Sequence, residues 1–203
     1  MKKIVIFGFI FSQISFLNAD VAHGVLEKHP NKVFFGSGVG ACINIARALN
    51  AGFSEIYSIE SDEVLALHSN YVVPIYINEK RRPFLRNNKV YYGDSKTELF
   101  GLIKDINVPI TFLLGGHLPD PAQPDKENGI LLELDQIGQH PIKAHTIMID
   151  YINYAGTDLF GGVTLMQIQQ KLLEINPDYV FKFEKGGHLE REENMILVAF
   201  IVK

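Results

Sequence analysis

Five times between residues 32 and 175 a short apolar run is followed by a stretch with helical spacing, and this alternation constrains the fold more than any other feature. The pairs are 32–35 with 41–50, 55–60 with 62–71, 89–92 with 95–104, 109–114 with 130–137, and 145–149 with 164–175. Strand–helix repeats of this kind predict a parallel sheet covered by helices on both faces. The tail breaks the rule. Residues 178–185 and 195–202 both read as strands, separated by Gly186-Gly187 and no helix, which predicts an antiparallel hairpin at one sheet edge. The expected architecture is therefore α/β, a Rossmann-like doubly wound, mostly parallel sheet ending in an antiparallel pair.

The first 20 residues stand apart from this pattern. Lys2 and Lys3 precede a mostly apolar stretch from Ile4 to Leu17, and Ala19 provides a small residue before Asp20. That is the layout of a secretory signal peptide, too short for a comfortable membrane span. Residues 1–19 are expected to be a leader and 20–203 one domain, exported to the periplasm or beyond; a misread leader would leave it cytoplasmic. Cys42 is the single cysteine, which excludes an internal disulfide and a cysteine-based zinc site. The net charge of −4 offers no basic face for nucleic acid or an anionic membrane.

Chemistry concentrates where the first strand turns into the first helix. Gly36-Ser37-Gly38-Val39-Gly40 places glycines at alternate positions, where a backbone must turn tightly and approach a ligand closely. The helix beyond offers unpaired N–H groups. Glu60, 20 residues past Gly40, ends the second strand, where an acid can accept hydrogen bonds from ribose hydroxyls. Asp94 ends the third strand and is either a contact to an adenine amino group or the cap of the next helix. Gly36, Gly38 and Ala41 also satisfy Gly-x-Gly-x-x-Ala, so a nicotinamide dinucleotide is not excluded by the loop itself.

Gly36 to Gly40, Glu60, Asp94 and the terminal antiparallel pair together resemble the class I S-adenosylmethionine-dependent methyltransferases, whose seven-stranded sheet has a reversed last strand. The runs 111–117, 145–150 and 175–179 are similar to a group of small bacterial and viral methyltransferase-like proteins, with Leu-Asp-Gly-His and Ile-Asp-Asp at the fourth and fifth strand ends. The resemblance implies S-adenosylmethionine as cofactor, with Gly36, Ser37, Gly38 and Gly40 lining it, Glu60 on the ribose and Asp94 toward the adenine. Three positions depart from that pattern. Phe34 replaces an acid that helps hold the methionine end, Gly115 the fourth-strand Asp, and Tyr151 the second acid of the fifth-strand pair. Magnesium needs hard oxygen ligands, and Asp150 alone survives of the metal trio, so no catalytic metal is expected. His117 and Asp150 are the candidates for acid–base work. The expected activity is methyl transfer to an unidentified small-molecule or protein acceptor. The alternatives are an exported binding module that has lost catalysis and, less well matched by the tail, a nicotinamide-dependent oxidoreductase.

Overall fold

The computed structural model describes residues 24–39, 42–80, 85, 87–115, 129–185 and 195–202, and its seven strands form one sheet in the order β3-β2-β1-β4-β5-β7-β6. Along the chain these are β1 (Val33–Ser37), α1 (Ile43–Asn50), β2 (Glu55–Glu60), α2 (Glu63–Lys80), β3 (Asn87–Tyr92), α3 (Ser95–Ile103), β4 (Ile110–Leu114), α4 (Ile130–Gly138), β5 (Thr146–Ile149), α5 (Leu165–Ile175), β6 (Val180–Lys185) and β7 (Met195–Phe200). β1 to β5 pair in parallel; β7 runs antiparallel to both β5 and β6. The expected doubly wound sheet and terminal hairpin are both present.

The strand period of two sorts side chains onto two cores. Val33 and Phe35 of β1, Ile110, Phe112 and Leu114 of β4, and Ile147 and Ile149 of β5 pack with α3, α4 and α5. Phe34, Leu113 and Met148 point the other way, into a layer built from α1, α2 and the turn at Val25 and Leu26. All five residues of β1 and of β4 are buried, as a central parallel strand requires. Two of the helices start with side-chain caps. Thr164 forms a capping box with Gln167 at the start of α5, and Asp94 caps α3.

Three of the boundaries that differ from the sequence expectation have a local cause. β1 continues through Gly36 and Ser37, which pair with β2 and β4 and so belong to the sheet. α1 starts at Ile43, because Cys42 takes a left-handed conformation, φ +67°, which no helix continues. α2 runs past Pro74 to Lys80. The turn before the proline is anchored by Ala66 and Val73 in the core and by Asn70 on the sheet edge, and these contacts offset the missing hydrogen bond.

Asn70 also solves the exposed edge of β3. Its side-chain oxygen accepts from Val90 N (3.1 Å) and its amide donates to Val90 O (2.7 Å), pairing both outward groups of that residue. Asn70→Ala should cost about 1–3 kcal/mol, the desolvation of half-buried groups left unpaired, read by urea unfolding. Asn70→Asp, which keeps the acceptor alone, should fall between.

Residues 1–19, Gly40, His117, the proline-rich stretch 118–128 and the charged run 188–193 lie outside the described residues.

Candidate functional site

Because β1 to β5 are parallel, their C-terminal ends share one edge, and strand order reverses between β1 and β4. Such a switch point leaves a crevice where ligands of open α/β sheets bind. Ser37 and Leu114 end the two strands there, and Gly115 N donates to Ser37 Oγ (3.3 Å) across the gap.

The glycine loop leaves β1 at this point. Gly38 has φ +80° and its N–H donates to Ile59 O (2.8 Å), folding the chain back over β2. Val39 N then donates to Glu60 Oε2 (3.0 Å). The other oxygen of Glu60 accepts from Asp62 N (2.9 Å) at the approach to α2. Beneath them Ser58 Oγ donates to Gly36 O (2.8 Å), and a Cβ on Gly36 would sit 3.4 Å from both that hydroxyl and the Phe34 ring. Gly36 is thus explained by strand packing, Gly38 by its backbone conformation. Glu60 pins the loop, and a carboxylate with roughly four lone-pair positions retains capacity for a further donor.

Asp94 is shown as a helix cap: Oδ1 accepts from Lys96 N (3.0 Å), with Lys96 Nζ 3.6 Å from Oδ2. Its own N–H donates to Glu98 Oε1 (3.0 Å). Both Asp94 and Glu60 border the same edge, since Gly93 N donates to Glu60 O (2.9 Å). Asp150 is fully buried at the end of β5; Oδ1 accepts from Tyr151 N (2.9 Å). Burial lowers the pKa of the Arg47 guanidinium on α1, and the nearby Asp150 charge opposes that shift. Tyr151 is buried and left-handed, φ +57°, and burial followed by the Asp150 charge pushes its phenol above the ordinary range. With Cys42, it makes two non-glycine left-handed residues flanking one edge, a placement typical of sites that store backbone strain. Phe34 is a core residue, 5.6 Å from Phe53 between ring centroids, so it puts no polar group at the site. Among the described residues no three His, Cys, Asp or Glu side chains converge to hold a metal.

One buried acid here was not singled out by the sequence reading. Glu133, in the first turn of α4, is enclosed between Ser37 of β1 and Ser95 of α3, and Ser95 Oγ donates to its Oε1 (2.6 Å). Burial raises its pKa to about 7, opposed by the hydroxyls of Ser95 and Ser37. The signal was present in the spacing: position 133 falls on the same helical stripe as Ile130, Leu134 and Ile137.

No family model matches the chain, and no curated protein matches it in sequence. Solved structures do match in shape. The methyltransferase domain of bacterial CtHen1 aligns over 87% of this chain and 93% of its own, with TM-score 0.54 and 13% identity. A protein from Pyrococcus horikoshii aligns over 88% and 86%, with TM-score 0.53 and 10% identity. An rRNA methylase from Streptococcus thermophilus aligns over 100% and 99%, with TM-score 0.50 and 10% identity. At such identities the likeness establishes the fold, and that fold is the Rossmann-like one of class I methyltransferases, with its reversed seventh strand.

Proposed function

We propose that this chain is an S-adenosylmethionine-dependent methyltransferase that works without a divalent metal. The observation that carries the reading is the Gly38-Val39 turn held against Glu60 at the switch point of this sheet. The residues present fit the cofactor. Gly38 keeps the loop low, Glu60 supplies an anionic acceptor for ribose hydroxyls, and Asp94 lies at the next strand end. Gly36 and Ser37 lead into this turn from the buried end of β1, and Gly40 follows it in sequence. Bound there, the cofactor supplies a methyl group activated by its sulfonium. The protein's part is positioning and exclusion of water, which can account for much of such a displacement. A strong base is not obligatory, so Gly115 and Tyr151 in place of two acids do not by themselves exclude the reaction. His117 and Asp150 remain the acid–base candidates.

The acceptor belongs to the same proposal. Net charge alone does not exclude RNA, because an rRNA methylase is built on the same frame. No described helix is long and apolar enough to cross a membrane. The export reading for residues 1–19 would place the protein outside the compartment where its cofactor is made, so activity would require delivery to a cofactor-containing site.

Calorimetry of the full chain with S-adenosylhomocysteine and NAD in parallel tests this reading; binding of the first and not the second is expected. Glu60→Ala should weaken S-adenosylhomocysteine about ten- to a hundredfold, since hydrogen bonds to charged groups contribute about 1.5–3 kcal/mol. Glu60→Gln should lose less, because its amide oxygen still accepts. Undiminished affinity in a folded Glu60→Ala protein would remove Glu60 from the site.

A further inference from the structure

Glu133 connects the two ends of the crevice. Ser37 is the residue immediately before Gly38, and Ser95 is the residue immediately after the Asp94 cap, so the groups beside this carboxyl are the roots of both ligand-facing loops. Glu133 is 1% exposed, its Oε1 takes the Ser95 hydroxyl proton at 2.6 Å, and the Ser37 hydroxyl lies beside the same carboxyl. The charged groups facing it come from α3: Asp94, which disfavours the carboxylate, and Lys96, which favours it. Neither β1 nor β4 presents a charge there; they contribute the Ser37 hydroxyl and the Gly115 N–H that Ser37 accepts. The start of α4 is pressed onto the same lysine, since a Cβ on Gly129 would meet Lys96 Cγ and Cδ at 2.5 Å.

Resting on the methyltransferase reading, we propose that Glu133 is a positioning residue for the adenosyl-cofactor seat, and that the seat binds its ligand best when this carboxyl is protonated. A carboxyl buried beside two hydroxyls and no cation in direct contact pays most of its desolvation as the anion. Protonated, it keeps the Ser95 hydrogen bond and carries no charge between the two loops. A ligand that seals the crevice excludes the remaining water near the loops and disfavours the anion further. By linkage, binding then takes up a proton near neutral pH. The nucleotide end of the ligand is the part affected, because both loops converge on it.

The test uses the full chain, S-adenosylhomocysteine as probe, and calorimetry from about pH 6 to 8 in buffers of different ionisation heat. Wild-type affinity should fall with rising pH, about tenfold for each unit by which binding raises the carboxyl pKa, with net proton uptake around pH 7. Glu133→Gln mimics the neutral acid and keeps an acceptor for Ser95. It should bind as the wild type does at low pH, without the pH dependence or the proton uptake. A Glu133→Gln protein that is folded and retains the wild-type pH profile overturns the proposal, as does a flat wild-type profile. Absence of S-adenosylhomocysteine binding at every pH overturns the cofactor reading itself, and this coupling with it.

Discussion

In a Glu133→Gln protein, stability should fall with acid by about 1.4 kcal/mol more per pH unit than in the wild type, between about pH 6.5 and 4.5. The acid-sensitive element is a histidine pair at the opposite edge of the sheet. His145 Nδ1 accepts from Ile110 N (3.1 Å), so its proton sits on Nε2 and is donated to His140 Nδ1 (3.1 Å). His140 in turn donates through Nε2 to Ile103 O (3.1 Å). Each hydrogen bond fixes the tautomer of the next. Burial lowers the His145 pKa to about 3, helped by His140 and Lys143. Below pH 6.5 the unfolded chain gains a proton there that the native state refuses, so stability drops as pH falls toward 3. Glu133 has the opposite slope. Its native pKa of about 7 lies above the ordinary 4.5, so the native state holds a proton that the unfolded chain releases, and stability drops as pH rises from 4.5 to 7. Over the shared window the two cancel. Removing the Glu133 titration should expose the full histidine slope, about 3 kcal/mol between pH 6.5 and 4.5, a large part of a typical domain stability of roughly 5–15 kcal/mol. Urea unfolding at several pH values measures both profiles. A Glu133→Gln profile that is flat over this window would mean that His145 is protonated in the native state.

That pair shows where the sequence stops being readable. The strand–helix alternation is local, and it located all seven strands to within a few residues. The glycine loop and Glu60 were equally accessible, because a turn between a strand and a helix fixes its residue types by backbone geometry. His140 and His145 carry no such mark. One follows α4 and the other precedes β5, and their meaning comes from Ile103 and Ile110, at least 35 residues away along the chain. Glu133 stands between these cases: its helical phase predicts burial, yet Ser37 and Ser95 become its neighbours through the sheet order alone. Cys42 and Tyr151 were legible as residues and not as conformations, since nothing local forces a cysteine or a tyrosine into the left-handed region. From sequence Asp94 reads equally as a cap or a ligand contact, and the structure shows the cap.

Gly38→Val should reduce S-adenosylhomocysteine affinity by at least about a hundredfold, equivalent to roughly 3 kcal/mol or more, while leaving most of the protein folded. At φ +80° a β-branched residue pays about 1–2 kcal/mol or more to keep the native turn. The alternative is to leave that region, which breaks the Gly38 N to Ile59 O bond and pulls Val39 N away from Glu60. Either outcome raises the loop or places a side chain where the ligand's close approach needs bare backbone. Unfolding must be separated from loss of the site, and the chain contains its own control. Gly52, which follows α1 and lies before β2, has φ +92°, and a Cβ there would meet nothing within 4 Å. Gly52→Val therefore carries comparable backbone strain at the end of the sheet away from the crevice. Both variants should lose similar stability in urea unfolding, and only Gly38→Val should lose binding. Equal affinity in the two would place the ligand away from the β1 turn and take the glycine loop out of the site. Equal loss of binding in both would make it a consequence of global destabilisation, and the assignment would then rest on Glu60 alone.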